Sequence, residues 1–317
     1  MRIAFWGTSG FIGSRQTGRF LRRLVASGIR PAVVVTAEDA PRGRDQEPVT
    51  AAVKSAALEF GLPVLQPSRL HGFSQELARL EIELSLVVAY GKILPPDALA
   101  VPKFGSLNIH PSLLPRWRGP TPIQAALLAG DSVTGVTIIE MDAEMDHGPV
   151  VAQREFPLGG RAWTAPALSD ALTDLGVELF MEVLEPWIAG RITPQPQNHA
   201  LATYSHMFKK ADGRIDWSRP AEEIERMTRA LQPWPGAYTF WRRGPDELRL
   251  VIDAADIADA PRGAVSPGTV LPYGDGMGVQ TGSGILLIRF LTPSGGRHMS
   301  ADEFFLGHRG IIDTILP

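Results

Sequence analysis

The segment IAFWGTSGFIG (Ile3–Gly13) reads as a short apolar strand, a glycine-rich turn and the opening of a helix. Ile3 to Trp6 supplies the strand, Ser14 to Ala26 the helix, and Ala32 to Thr36 a second strand. The alternation continues outward through a helix over 48–60 and strands at Leu84 to Ala89 and Ser106 to Ile109. Strand, helix and strand in turn predict an α/β fold with a Rossmann-like, mostly parallel sheet and right-handed crossovers. Thr121 and Pro122 then suit the start of another helix, and Gly130 its end. Gly135 to Ile139 reads as a buried strand, and Leu168, Leu172, Leu175, Leu179, Val183 and Trp187 mark a helix over 167–188.

The character changes after Gly190. Thr193-Pro194-Gln195-Pro196-Gln197 is a stiff, polar connector. Beyond it lie one helix (Pro220 to Leu231) and short apolar runs broken by glycine and proline, at 236–241, 249–252 and 285–288. They predict a small C-terminal OB-like β-barrel domain. The expected organisation is a catalytic domain over 1–189, a linker over 190–206 and the barrel domain over 207–317, in keeping with two domains for 317 residues.

Composition narrows the function classes. Lysine and arginine number 31 against 34 acids, a net charge of −3, so no global basic bias advertises a nucleic acid, although a local patch stays open. Cysteine is absent, which removes disulfides, thiolate metal sites and cysteine nucleophiles. Lys92 and Asp97 interrupt the best apolar run, so no membrane span is expected, and the start MRIAFWG has no signal-peptide core. A cytoplasmic protein is the expectation.

The densest chemistry lies at 105–120, GSLNIHPSLLPRWRGP. Asn108 and His110 are two apart at the carboxyl end of a strand, which puts both side chains on one face. Ligands of open α/β sheets sit at such strand ends. An amide beside an imidazole suits stabilisation of a developing oxyanion; a loop histidine next to an asparagine bonding its own backbone is the plainer alternative. After the Gly135–Glu140 run, Asp142, Glu144 and Asp146 offer a carboxylate to orient His110, or an acidic turn in solvent. His110, Asp142, Asp146 and His147 match no metal-ligand spacing, so no metal is expected.

Two further features compete for a function. Gly7-x-x-Gly10-x-x-Gly13 after the first strand resembles a dinucleotide fingerprint, with Glu38 or Asp39 placed for a ribose. The short-chain dehydrogenases that use this spacing need tyrosine followed four residues later by lysine. The four tyrosines here are followed by Leu94, Phe208, Arg242 and Met277. Residues 1–37 also hold six arginines and no acid, and Arg15, Arg19 and Arg23 share one helix face. Such a face is either solvated or offset by an anionic partner.

The string SLNIHPSLLP (106–115), Arg118-Gly119, Met141-Asp142 and Asp146-x-Gly148 resembles the formyltransferases that use 10-formyltetrahydrofolate. VVAYGKILP (87–95) resembles that family's folate-pocket strand, and Arg214-Ile-Asp-Trp217 with Pro233-Trp-Pro-Gly-Ala237 the entry to its C-terminal barrel. The resemblance runs over nearly the whole chain. It implies Asn108, His110 and Asp146 as the catalytic trio, and 10-formyltetrahydrofolate as cosubstrate, with no metal. Ser112, Leu113, Leu114 and Pro115 would border the folate. Tyr90, Gly91, Lys92, Ile93 and Leu94, with Ile139, Glu140 and Asp142, would supply contacts to its pterin ring. The barrel matches imply initiator methionyl-tRNA as acceptor, met by Arg15, Arg19, Arg23, Arg42, Arg44, Lys209 and Lys210, in a monomer. The alternative acceptor is an amino sugar on a nucleotide. His147 stands where the family commonly has threonine, and Gly7-Thr-Ser-Gly-Phe11 where it has Gly-Thr-Pro-Glu-Phe.

Overall fold

The computed structural model describes residues 1–8, 13–42, 47–49, 51–159, 162–258, 265–273 and 276–317, with the backbone alone described at 13–15, 40–42 and 47–49. The chain forms two compact units. The first comprises Met1–Ile123, Ser132–Gly159 and Ala167–His206; the second comprises Gln124–Asp131, Gly160–Pro166 and Met207–Pro317.

In the first unit, β1 (Ile3–Gly7) leads to α1 (Gly13–Ala26), β2 (Val33–Val35), a hairpin of β3 (Ala40–Arg42) and β4 (Glu47–Val49), and α2 (Ala52–Glu59). There follow β5 (Val64–Leu65), α3 (Ser74–Arg79), β6 (Leu84–Val88), α4 (Pro96–Leu99) and β7 (Ser106–His110). After α5 (Pro122–Ala129), which passes from the first unit into the second, come β8 (Val133–Glu140), β9 (Val150–Pro157) and the long α6 (Ala165–Ile188). Seven strands form one sheet in the order β5-β2-β1-β6-β7-β8-β9. The first five are parallel, and β8 and β9 close that side antiparallel.

Every residue of β1, β2 and β6 is buried. That suits central parallel strands covered on both faces, whose sequences therefore run apolar without alternation. The edge strand β9 instead alternates buried or partly buried with exposed residues over much of its length, so VVAQREFP carries a weaker signal. Trp6 anchors the core. Its ring meets Tyr90 edge-on at 5.1 Å and Phe73 at 5.5 Å, and its Nε1 donates to Ser85 Oγ at 3.1 Å. A buried tryptophan keeps its packing energy only if that N–H finds such a partner.

The second unit holds α7 (Ala221–Ala230), β10 (Ala237–Arg243), β11 (Asp246–Ala258), β12 (Val270–Tyr273), β13 (Gly276–Gln280), β14 (Ile285–Pro293), β15 (Met299–Ser300) and α8 (Ala301–Gly307). Its strands form an antiparallel sheet in the order β10-β11-β14-β13-β12, with β15 on β14. Register shifts around Ala254 let the long β11 bend. Trp217, Ile224, Trp241, Leu250, Leu286 and Phe304 fill its core.

Candidate active site

The crossover direction of the main sheet reverses at β1. One side continues to β2 and β5, the other to β6 and β7. Ligands of open α/β sheets bind beyond the carboxyl ends of strands at such a reversal. The segments there are the turn after β1, residues 89–94 after β6 and the loop after β7. Of these, the turn residues Gly10, Phe11 and Ile12 lie outside the described residues.

In β7, Asn108 lies opposite Val87 of β6 and Ile139 of β8, and His110 opposite Thr137. Asp146 comes from the turn between β8 and β9. The structure brings the three together. Asn108 Nδ2 donates to Asp146 Oδ1 at 3.3 Å, and His110 Nδ1 lies 3.5 Å from the same oxygen. The other carboxylate oxygen accepts the Gly119 N–H at 2.8 Å. His110 is buried, and its Nε2 is 2.9 Å from the Trp117 carbonyl. A carbonyl only accepts, so Nε2 carries a proton and Nδ1 is the nitrogen left facing the Asp146 carboxylate.

The turn that carries Asp146 is held against its own preference. Asp146 has φ +51°, a left-handed conformation that costs a non-glycine residue about 1 kcal/mol or more. Gly148 sits so close to the Glu140 carbonyl that a Cβ would lie 1.8 Å from its oxygen, so only glycine fits. Gly119 (φ +103°) likewise leaves no room beside the Ser205 carbonyl, at 2.7 Å.

Ser112 and Leu114 brace the loop after β7. Ser112 Oγ donates to the Arg116 carbonyl at 2.6 Å. Thr137 of β8 donates to the Ser112 carbonyl at 2.6 Å and accepts from the Leu114 N–H at 3.1 Å. Gln153 of β9 binds both Thr137 and the Leu114 carbonyl. Leu113 and Pro115 are half-buried, and the Leu114–Pro115 bond is cis.

After β6 the backbone turns through positive φ at Ala89 (+47°) and Gly91 (+69°). Gly91, Lys92 and Ile93 are exposed there, whereas Tyr90 and Leu94 point into the core. Burial of the Tyr90 phenol pushes its pKa up to about 12, and its hydroxyl has no hydrogen-bond partner among the described residues. Of the β8 residues, Ile139 is buried and Glu140 half-buried. Asp142 faces His147 Nδ1 through Oδ2 at 2.6 Å, and the His147 ring stacks on His199 with centroids 4.0 Å apart. Asp142 and His147 thus form one pair, and Asp146 and His110 another. Among the described residues no group of three or more His, Asp or Glu is arranged to hold a metal ion.

The arginine face of α1 has acids opposite it. Arg19 binds Asp174 of α6 and lies 3.9 Å from Asp170, and Arg23 lies 3.5 Å from Asp174. Hydrogen bonding to Asp174 holds the Arg19 guanidinium above its ordinary pKa. The anion that offsets the face is therefore supplied, for these two residues, by the same chain. The side chains of Arg15 and Arg42, and the whole of Arg44, lie outside the described residues. Lys209 and Lys210 are exposed in the second unit. Asp39 is engaged by Lys54 and Gln66, which holds its carboxyl below the usual range.

The sequence reading passed over several residues of this site, all tied to the stretch 193–205. Gln195 pairs with Val150 at the start of β9 through two backbone bonds. Gln197 binds Arg118 and the backbone of the Asp146 turn. Thr203 and Ser205 bind the backbone of Trp117, Arg118 and Thr121. The only sequence signal was a run of glutamine and asparagine among prolines, which also describes a solvated connector.

Comparison with known proteins finds two family matches along the chain. The family model described as "Formyl transferase" matches residues 2–184, and "Formyl transferase, C-terminal domain" matches 207–309. A protein named methionyl-tRNA formyltransferase from Roseiflexus sp. (strain RS-1) is 45% identical, covering 98% of this chain and 93% of its own. One of the same name from Chloroflexus aurantiacus is 46% identical over 97% of each chain. Among solved structures, HypX from Aquifex aeolicus in complex with tetrahydrofolic acid aligns at TM-score 0.64 and 19% identity, over 99% of this chain and 48% of that one. An N-formyltransferase from Helicobacter canadensis, solved with folinic acid and dTDP-3-aminofucose, aligns at TM-score 0.63 and 15% identity, over 91% of this chain and 98% of that one. The two solved structures share the fold; the nearly full-length identity to the bacterial enzymes goes further, and with the two family models it makes this chain a member of the formyl transferase family.

Proposed function

We propose that the chain transfers the formyl group of 10-formyltetrahydrofolate to the methionine amine of initiator methionyl-tRNA, in the cytoplasm. The observation that carries the chemistry is the meeting of Asn108, His110 and Asp146 at the end of β7. The acceptor rests on relatives of that name matching over nearly the full length of this chain. In this reading residues 1–189 form the catalytic domain, and 207–317 an OB-like barrel whose Lys209 and Lys210 face the tRNA. The exposed backbone of residues 91–93 receives the pterin, beside the loop 112–115.

The acceptor amine attacks the formyl carbon, and negative charge builds on the formyl oxygen. Asn108 offers a donor to that oxygen, and His110 Nδ1 offers a second when the ring carries a proton on both nitrogens beside the Asp146 carboxylate. An oxyanion donor of this kind is typically worth about 3 kcal/mol, roughly a hundredfold in rate. Asp146 accepts the proton that the amine must lose, and N10 of the folate receives one as its bond to the formyl carbon breaks. A carbon–nitrogen bond forms as another breaks, and one proton passes from amine to N10.

The direct test uses labelled 10-formyltetrahydrofolate with charged initiator tRNA or an amino-sugar nucleotide. Label on the tRNA alone is expected; label on the sugar nucleotide instead would replace this acceptor.

A further inference from the structure

The stretch 193–205 places a fully engaged amide behind Asp146. Gln197 is buried, and all of its hydrogen-bonding capacity is used. Its Nε2 donates to the carbonyls of Asp146 (2.9 Å) and Gly148 (2.7 Å). Its Oε1 accepts from Nε (3.2 Å) and Nη2 (2.7 Å) of the buried Arg118. Arg118 Nη2 also donates to His199 Nδ1 at 2.8 Å, and the Arg118 backbone pairs with Thr203 and Ser205. The next residue, Gly119, donates its N–H to the Asp146 carboxylate. One glutamine therefore ties together the two strands of chain that hold that carboxylate, one through its backbone and one through its side chain.

We propose that Gln197 is a positioning residue for formyl transfer, locking the 146–148 turn onto Arg118-Gly119 so that the Asp146 carboxylate faces Asn108 and His110. This rests on the reading of Asp146 as the catalytic carboxylate. The left-handed backbone of Asp146 persists only where its surroundings over-determine it. The bond from Gln197 to the carbonyl of that same residue is such a constraint. Without it the turn relaxes toward an ordinary conformation, and the carboxylate leaves the reach of His110 Nδ1.

The experiment compares the full-length wild type with Gln197→Met, of similar length but unable to hydrogen-bond in this way, and Gln197→Glu, which keeps an acceptor for Arg118 and loses both donors. Steady-state formylation of charged initiator tRNA should show kcat lowered on the order of a hundredfold in both variants, as expected of a misplaced reacting group. KM for 10-formyltetrahydrofolate and tetrahydrofolate binding should stay near those of the wild type, with the melting temperature lowered only modestly by the partners left unpaired. Single-turnover rates should show that adding Gln197→Met to Asp146→Asn costs nothing beyond Asp146→Asn alone, because the glutamine acts through the aspartate.

Near-normal kcat in both variants overturns the proposal. So does a parallel fall of kcat, folate binding and melting temperature, which marks a merely structural residue, or losses that multiply in the double variant. Should Gln197→Met fail to fold, Gln197→Glu carries the same comparison. Near-normal turnover of Asp146→Asn by itself would instead defeat the underlying reading.

Discussion

The loop after β7 and the stretch 193–205 both hold the Asp146 turn, and they do so by different means. The end of β7 contributes the side chains of Asn108 and His110, and the loop after it the Gly119 N–H, all aimed at the carboxylate. The stretch 193–205 contributes bonds to the carbonyls behind it, from Gln197, and to the backbone of Trp117 and Arg118, from Thr203 and Ser205. Groups that must meet a substrate are restricted in type and spacing, because few side chains can donate to an oxyanion or carry a proton. Groups that only support a backbone are restricted in place, and the place is set by the fold. The first kind is written in a short string of residues; the second is scattered.

The sharpest way to break this comparison is Asp146→Asn. Turnover should fall by on the order of a hundredfold to ten-thousandfold, the range of a lost general acid or base, while tetrahydrofolate still binds. Near-normal turnover would leave both regions holding an idle side chain.

Next is Gly148→Ala. A Cβ there would meet the Glu140 carbonyl oxygen at 1.8 Å, so the turn must move. The expected result is a loss of roughly a hundredfold in kcat, with the melting temperature also lowered. A fully active alanine variant would show that the turn tolerates displacement and that its bracing is incidental.

A smaller effect separates the ion-paired arginines of α1 from the exposed Lys209 and Lys210. Arg19 and Arg23 are partly exposed ion-pair partners of Asp174, so replacing either with alanine should cost only about 0.2–1 kcal/mol of stability. Their replacement should raise KM for tRNA less than the double replacement of Lys209 and Lys210. Formylation kinetics over a salt series check this, since losing phosphate contacts flattens the salt dependence. Equal effects from both pairs would return the α1 face to the tRNA.

The smallest effect is at Tyr90. Burial raises its pKa to about 12, so between the ordinary tyrosine value and about 12 the unfolded chain gives up a proton that the folded chain keeps. Stability should fall with rising pH across that window. Absorbance titration should show a late tyrosine ionisation, and Tyr90→Phe should remove that step with little change in melting temperature at neutral pH. A single common ionisation would show that the phenol is open to water.

Much of the main sheet was legible because β1, β2 and β6 are buried on both faces and read as plain apolar runs. β9 was not, since an edge strand with Gln153, Arg154 and Glu155 along it looks like loop. The 48–60 helix was right in kind and early in its start, because Glu47–Val49 is spent on a hairpin. Asn108 and His110 were legible from their spacing, and Asp146 as one of three carboxylates in a short run. Residue types alone left the three open; the family resemblance pointed to Asp146, and the folded geometry gives Asp142 to His147 and Asp146 to His110. The acids opposite Arg19 and Arg23 lie about 150 positions away in sequence, as the Arg19–Asp174 separation of 155 shows, beyond the reach of any local pattern.

The position of Gln197 bears on how members of this family can be recombined. The catalytic family match stops at residue 184 and the next begins at 207, which invites a crossover at the first boundary. A chimera spliced there would inherit Asn108, His110 and Asp146 from one parent and the glutamine clamp from another. Crossovers placed after His206, where the first compact unit ends, would keep the turn and the glutamine that holds it on a single ancestry.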